Sequence, residues 1–380
     1  MMKALRLVFI FSTIAATIYL LWGFKEKKLE QHEIDLHLKE ISEIGEDHHK
    51  GNLVGIQPFM ETADYANFEN FYEKIDQYFS KAQKEYFFDE KTVVVLPEHI
   101  GTWLVALDEN PEVYYKYSFN AALRQMSLDN FKGLMNKDVS PLHKQKILNK
   151  KLFALKAERM AKIYGYVFSS MAKKYDVTVV AGSITLPDPK IVDGKLTVGE
   201  KGHFYNVSVI YGPDGKAYSE LIINRAPVHQ ILSFVSEPEN YKMPVFDLPT
   251  GKTGVLISHD SFYGEHYERF AQMDVDCILV PSCMIVGRKN KKDGNGLVKQ
   301  QLPPSLLEIE WIDKAPLEDV CINYALAAKM KVVGVENGFN VFFRGNIWDL
   351  ETKGHSIVIN EGEVTKGFQV EGSSIINVWM

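Results

Sequence analysis

Apolar and polar positions along the chain follow two periods that predict alternating strands and helices. Short runs rich in β-branched residues predict buried strands at residues 53–57, 92–96, 177–181, 207–211, 253–257, 277–280, 331–335 and 356–359. Longer amphipathic stretches predict helices at residues 67–84, 145–174, 263–273 and 317–328. Because strands and helices alternate, we predict a layered α/β domain.

The first residues carry a continuous apolar pattern instead. Lys3 and Arg6 precede an apolar run over residues 7–24, and Lys25 follows it. A run of this length can cross a bilayer once, and the bulky stretch from Tyr19 to Trp22 occupies the place where signal-peptide cleavage requires small residues. We therefore predict an uncleaved, single-pass membrane anchor.

The chain is accordingly divided into a membrane anchor over residues 1–28, a helical stalk or linker over residues 29–50, and a folded domain over residues 51–380. Cationic residues flank both ends of the apolar run, so they do not fix its orientation. Following the common arrangement of bacterial single-span anchors, we expect the large domain to lie outside the cytoplasm.

Composition narrows the function classes. Apolar residues make up 46% of the chain and charged residues 24%, as in globular proteins. The formal charge of -6 excludes a broadly basic nucleic-acid binder. Cys277, Cys283 and Cys321 fit neither a disulfide framework nor a zinc site, and the adjacent His48 and His49 do not converge on one ion. We expect no metal and no cofactor.

Three short motifs invite interpretations that their context does not support. The GKT sequence at 251–253 lacks the earlier glycine of a phosphate loop and predicts a hairpin turn. The sequon at 206–208 opens an apolar strand, which predicts that it is buried. The adjacent residues Ser258, His259 and Asp260 cannot form a triad by themselves, because successive side chains of a strand point to opposite faces.

Seven segments follow one another in an informative order. They are LVGIQ at 53–57, TVVVLPE at 92–98, AGS at 181–183, FYN at 204–206 with GPDGK at 212–216, TGVLISHDSFYGE at 253–265, CILVPS at 277–282, and EN at 336–337 with GHS at 354–356. In this order the chain resembles the carbon-nitrogen hydrolase (nitrilase) superfamily over most of residues 52–370. The resemblance implies an αββα four-layer sandwich that assembles into homodimers or larger homo-oligomers.

The resemblance also implies a Glu-Lys-Cys site for amides, nitriles or other acyl substrates. In that chemistry a thiolate attacks the carbon, Glu moves the proton and Lys stabilises the oxyanion. The general base corresponds to Glu98, the Lys falls on or near Arg225, and the nucleophile corresponds to Ser258. The implied pocket neighbours, lining or bracing the site, are Tyr205, Asn206, Asp260, Glu265 and Cys283.

Two of the three residues at this site depart from the family pattern. A Ser hydroxyl needs a strong, aligned base to match a thiolate, and the planar guanidinium of Arg does not simply replace Lys. Three hypotheses stay open: a membrane-anchored amidase or acyltransferase with Ser258 as nucleophile, a silent ligand- or protein-binding pseudoenzyme, and an engineered Cys→Ser substitution. Cys283 is an alternative nucleophile, and the inserted segments 107–149 and 284–315 are expected to border the pocket.

Overall fold

The computed structural model describes residues 32–135, 145–199, 202–229, 232–239, 241–285, 302–310, 312, 315, 317–367 and 371–380. Residues 34–380 form one compact unit. The predicted membrane anchor over residues 1–28 lies outside the described residues. Within the described ranges, no helix has the length and apolar character needed to cross a membrane.

The described residues form the following strands and helices. The strands are β1 Leu38–Ile44, β2 Asn52–Gln57, β3 Phe59–Glu61, β4 Thr92–Val95, β5 Thr178–Val180, β6 Ile184–Pro187, β7 Lys190–Val192, β8 Lys195–Thr197, β9 Phe204–Ser208, β10 Ile210–Tyr211, β11 Ile222–Ile223, β12 Val245–Leu248, β13 Gly251–Val255, β14 Cys277–Ser282, β15 Met284–Ile285, β16 Asn337–Phe342, β17 Arg344–Ile347, β18 Leu350–Lys353, β19 Ile357–Asn360, β20 Glu363–Lys366 and β21 Ser373–Trp379. The helices are α1 Phe68–Lys84, α2 Phe119–Asp129, α3 Phe131–Met135, α4 Gln145–Tyr175, α5 Gly264–Gln272, α6 Pro304–Leu307, α7 Leu317–Tyr324 and α8 Leu326–Val333.

Two six-stranded sheets form the centre of the domain, in the orders β1-β21-β2-β4-β5-β10 and β12-β13-β14-β16-β19-β20. Their facing sides share one apolar core, in which Leu53 and Val95 of the first sheet cluster with Phe339 of the second. Helix α4 packs on the first sheet, with α1 packed against α4, and α5, α7 and α8 pack on the second sheet. The predicted αββα layering is therefore observed.

Most predicted elements are found, but the prediction of a strand at 331–335 is wrong. These residues end α8, where Gly334 adopts a φ of 73° and its N–H donates to the Met330 carbonyl at 2.9 Å. The next strand, β16, begins only at Asn337. A short apolar run fits a buried strand and a buried helix equally well. The predicted helix at 317–328 is also divided, since α7 and α8 are separated at Ala325.

The prediction of a helical stalk is wrong for Leu38–Ile44. These residues form β1, which pairs in parallel with β21 at the edge of the first sheet. The preceding backbone is bound to α1, because the Tyr78 hydroxyl donates to the Leu36 carbonyl at 2.6 Å. The apolar positions 34, 36, 38, 41 and 44 are two or three residues apart, so their spacing did not decide between a strand and a helix.

The GKT sequence lies in the predicted hairpin, where β12 pairs with β13 through Leu248 and Gly251. The first inserted segment contributes α2 and α3, beside a cavity of about 890 Å³ whose walls include Leu104, Leu128, Lys156 and Arg159. None of the predicted site residues lines this cavity.

We expect Lys74→Met to destabilise the domain strongly. The Lys74 ammonium lies 3.1 Å from the Asp64 carboxylate, with side-chain exposures of 1% and 0%. Removing one partner leaves a buried charge uncompensated, which costs about 3–5 kcal/mol of unfolding free energy. Urea unfolding measures the loss, and the same change at Lys81, an exposed residue of α1, is the matched control. A loss no greater than that of the control would contradict this prediction.

Candidate active site

A strained turn presents Ser258. It begins the 3-10 turn Ser258–Phe262 that follows β13, with a φ of 46° in the left-handed region that non-glycine residues rarely adopt. The Ser261 hydroxyl donates to the Ser258 carbonyl at 2.6 Å, and the Tyr267 hydroxyl donates to the Ser261 carbonyl at 2.8 Å. These bonds hold the elbow in a conformation that costs about 1–3 kcal/mol.

The Glu98 carboxyl lies beside this elbow. Glu98 follows β4, is 6% exposed, and accepts a hydrogen bond on Oε1 from the Asn206 amide at 2.8 Å. Polar interactions with the Ser258 hydroxyl and the Cys283 backbone N–H also stabilise its charge. The structure thus brings Glu98, Asn206, Ser258 and Cys283 together from four separate segments.

Burial determines the protonation of Glu98. The pKa of Glu98 is raised from 4.5 to about 8, mainly by burial, with a smaller contribution from the charge of Asp260, while interactions with Ser258, Asn206 and Cys283 partly oppose the shift. The carboxyl is therefore mostly protonated at pH 7. A group whose pKa lies near neutrality is suited to acid–base exchange with a ligand.

The expectation that Arg225 assists the nucleophile is not matched by its side-chain contacts. Its guanidinium is half-buried and contacts the Met243 sulfur, with Nη1 at 3.8 Å. Among the described residues, no Lys or Arg side chain forms a hydrogen bond or ion pair with Glu98 or Ser258. The preceding residue Asn224 faces the elbow instead, and its amide donates to the Ile257 carbonyl at 3.0 Å. The sequence analysis missed Asn224 because the resemblance to the family fixes this position only to within one residue.

Asp260 braces the site. Its carboxylate accepts from the backbone N–H groups of Arg225 and Ala226 at 3.0 and 2.8 Å. Burial raises its pKa, while His266 and the hydrogen bonds oppose the shift. The contacts tie the segment after β11 to the elbow and leave little of this carboxylate for a ligand.

Two predicted pocket residues lie outside the cluster around Glu98. Tyr205 precedes Asn206 on β9, so its side chain points to the opposite face, and its ring lies 6.4 Å from that of His203. Glu265 lies in the first turn of α5 with 68% of its side chain exposed. At this position its negative charge interacts favourably with the dipole at the helix N-terminus. Asn206 is 2% exposed, so the predicted burial of the sequon is observed.

Cys283 contributes a backbone donor to the site. Its N–H points to the Ser258 Oγ at 3.5 Å. Burial and the Glu98 charge raise the pKa of its thiol well above the ordinary value. Because the thiolate is the nucleophilic form, this environment disfavours Cys283 as a substitute nucleophile.

His99 is a site neighbour that sequence reasoning missed. Its Nε2 lies 3.6 Å from Glu98 Oε1, and its Nδ1 lies 3.0 Å from the Thr102 hydroxyl. Burial lowers its pKa to about 3, so the ring is neutral at physiological pH. Inserted helix α2 supports it indirectly, since Phe119 packs on Trp103 and Trp103 packs on His99. Its position directly after Glu98 was the only available signal.

The described residues contain no group of three or more His, Cys, Asp or Glu side chains arranged to hold a metal. The site instead offers a hydroxyl, a carboxyl and a backbone donor, which are groups suited to an acyl or amide ligand. The family model described as carbon-nitrogen hydrolase matches residues 53–301. The chain belongs to the carbon-nitrogen hydrolase family.

Solved structures with similar folds support this membership at the level of the fold. A cysteine-to-serine mutant of the Nesterenkonia AN1 amidase, from the nitrilase superfamily, is 12% identical, with a TM-score of 0.53 over 87% of this chain and 92% of that one. A double mutant of the Nesterenkonia amidase in complex with acrylamide is 12% identical, with a TM-score of 0.52 over 86% and 89%. No curated protein matches the sequence.

We expect Glu98→Gln to remove a specific pH dependence from the stability of this carbon-nitrogen hydrolase family member. The pKa of Glu98 is about 8 in the folded chain against 4.5 as the ordinary value, so the folded state holds the proton more tightly. Its stabilising contribution is therefore complete below pH 4.5 and is lost as the pH rises to about 8, by about 1.4 kcal/mol per pH unit.

Unfolding free energies measured between pH 5 and 9 test this dependence. The unfolding free energy of the parent minus that of Glu98→Gln should fall steadily up to about pH 8 and then level off. Glu265→Gln, at an exposed carboxyl, should leave the parent profile unchanged. Parallel profiles for the parent and Glu98→Gln would show that Glu98 titrates normally.

Proposed function

We propose that this carbon-nitrogen hydrolase family member binds a small amide, nitrile or acyl compound at the Glu98–Ser258 site and has lost the turnover of its thiol relatives. The observation that carries the proposal is the kind of group that surrounds Ser258. A hydroxyl stands on the elbow, and no Lys or Arg side chain of the described residues contacts it or Glu98.

Both features weaken acyl chemistry for separate physical reasons. A hydroxyl ionises far less readily than a thiol, so attack requires a base that removes its proton. Glu98 is mostly protonated at pH 7, because its pKa is about 8, and is then unable to accept that proton. Losing a donor to the oxyanion costs about 10²–10³ in rate, and Asn224 directs its amide to the Ile257 carbonyl.

A second candidate function is a working amidase or acyltransferase with Ser258 as an oxygen nucleophile. The interaction of the Ser258 hydroxyl with Glu98 favours it, since a carboxylate beside a hydroxyl is the arrangement of a general base. The Cys283 N–H, 3.5 Å from Ser258 Oγ, would then lie near a developing oxyanion. This mechanism would form an ester on Ser258 and would operate best above pH 8.

We expect the full-length parent protein to form no covalent adduct with short amides, nitriles or activated acyl esters. Ser258→Cys should gain an acyl adduct at position 258, because a thiol ionises far more readily than a hydroxyl and its thiolate attacks an activated ester. Intact mass and product release measure both, with Ser258→Ala as the blank. Cys283→Ser in the parent and Ser258→Cys backgrounds controls for reaction at the neighbouring thiol. A Ser258-dependent ester with turnover in the parent would establish the second candidate instead.

We further propose that residues 7–24 anchor the protein in a membrane, with its large domain outside the cytoplasm, and that the domain forms a homodimer or larger homo-oligomer. The support for the anchor is the length of the apolar run between its flanking lysines and arginine. A ligand at the membrane surface would suit such an arrangement.

We expect full-length protein to remain in the membrane fraction after an alkaline carbonate wash. Ala16→Arg places a charge near the middle of the apolar run, at a cost of about 2.5–3.5 kcal/mol for insertion, and should shift protein to the supernatant. Ala16→Leu is the matched control and should stay in the membrane. Equal release of both variants would mean that the run is not an anchor.

A further inference from the structure

A buried acceptor beside Glu98 has no hydrogen-bond partner among the described residues. Asn206 donates through its amide nitrogen to Glu98 at 2.8 Å, while its Oδ1 atom is buried and has no partner among the described residues. This oxygen belongs to the amide that touches Glu98, so it lies beside the carboxyl. On the neighbouring strand, Thr185 is paired with Asn206, and its buried hydroxyl also lacks a described partner.

The titratable side chains at the centre of the site are two carboxyl groups. Glu98 and Asp260 are both nearly fully buried and lie close enough for each charge to matter to the other. Among the described residues, no Lys or Arg side chain pairs with Glu98, because Arg225 contacts Met243 and the buried Arg344 donates to the Gly354 carbonyl at 2.9 Å. An uncompensated buried carboxyl tends to take up a proton, and a cation beside Glu98 would stabilise its ionised form instead.

We propose that the ligand itself brings this cation, and that the Glu98–Asn206 site takes small amidinium compounds. One nitrogen of the planar amidinium would donate to the Glu98 carboxylate and the other to Asn206 Oδ1, as paired N–H groups bind paired oxygens elsewhere. The inference rests on the proposed function of this site and extends its ligands from neutral amides to their amidinium analogues.

A neutral amide of the same shape fits this arrangement less well. In the same pose its carbonyl oxygen, which can only accept, would replace one N–H donor and would face the ionised Glu98 or Asn206 Oδ1, which are acceptors themselves. Leaving one of these buried acceptors unpaired costs free energy. The ionised site therefore selects an amidinium over its isosteric amide.

The preference depends on the ionisation of Glu98. Burial raises the pKa of Glu98 to about 8, so amidinium binding tightens by about tenfold per pH unit below 8 and levels off above it. Asp260, His99 and Cys283 are the other titratable groups that face Glu98. His99, with a pKa of about 3, and Cys283, with a raised thiol pKa, both stay neutral from pH 6.5 to 8.5. The Asp260 carboxylate accepts hydrogen bonds from the backbone N–H groups of Arg225 and Ala226.

The test is a calorimetric titration of the full-length protein with acetamidinium and with acetamide at pH 6.5, 7.5 and 8.5, at constant ionic strength. At pH 8.5 we expect acetamidinium to bind at least tenfold more tightly than acetamide. Glu98→Gln should remove this preference, and Glu265→Gln, at an exposed carboxyl, should keep it. Thermal melts of each variant verify folding.

A second pair of variants tests the missing cation directly. Asn224→Lys introduces an ammonium next to the elbow and should weaken acetamidinium binding by at least tenfold. Asn224→Met adds similar length without charge and separates the effect of charge from that of bulk. Equal losses of acetamidinium affinity in both variants would show that bulk and not charge weakens binding, which would overturn the inference.

The outcomes separate this inference from the proposed function. A preference for acetamidinium that requires Glu98 and grows with pH supports both. Acetamide binding that is lost in Glu98→Gln, without a preference for acetamidinium, overturns the inference and keeps the proposed function. A preference that survives in Glu98→Gln also overturns the inference, and binding of neither compound overturns both.

Discussion

The buried carboxyl of Glu98, uncompensated by a contacting Lys or Arg in the described residues, is the constraint on which the site depends. It lies where the end of β4 in one sheet meets the segments after β13 and β14 in the other, through Ser258 and Cys283. Strands β2, β4 and β5 run parallel, as do β13, β14 and β16. The carboxyl ends of both parallel sets thus surround one point, which is where α/β sheets commonly bind ligands. The common core between the sheets holds these ends in place.

The layered fold could be predicted because its central strands are buried on both faces and therefore appear as continuous apolar runs. The same property limited the prediction at 331–335, where an apolar run ends α8 instead of forming a strand. Residues 38–44 were missed for the opposite reason. As an edge strand, β1 carries charges such as Lys39 and Glu43 and has few buried positions, and its pairing with β21 depends on the far end of the chain, which no local pattern contains.

The site could be predicted only where strand ends fixed the position of a residue. Glu98 and Ser258 each follow a recognisable strand, and the structure brings them together. Arg225 was misjudged because β11 is short, and a difference of one residue exchanges the side chain that faces the elbow. Tyr205 and Asn206 differ by the alternation of faces along β9, so knowledge of which face meets Glu98 was needed to choose between them. His99 carries no pattern beyond its position after Glu98.

Ser258 and Asn224 together bear on how the chemistry of this chain differs from that of its family. The family resemblance implies a thiolate with a lysine beside it, which is a pair of opposite charges. In this chain a neutral hydroxyl stands on the elbow and a neutral amide faces it, so both charges are absent. An engineered Cys→Ser change would explain Ser258 alone and leave a lysine in place. A buried ammonium without a thiolate would be costly, as would a buried thiolate without an ammonium. With neither charge present, the ionised Glu98 is the group whose charge a ligand would have to compensate.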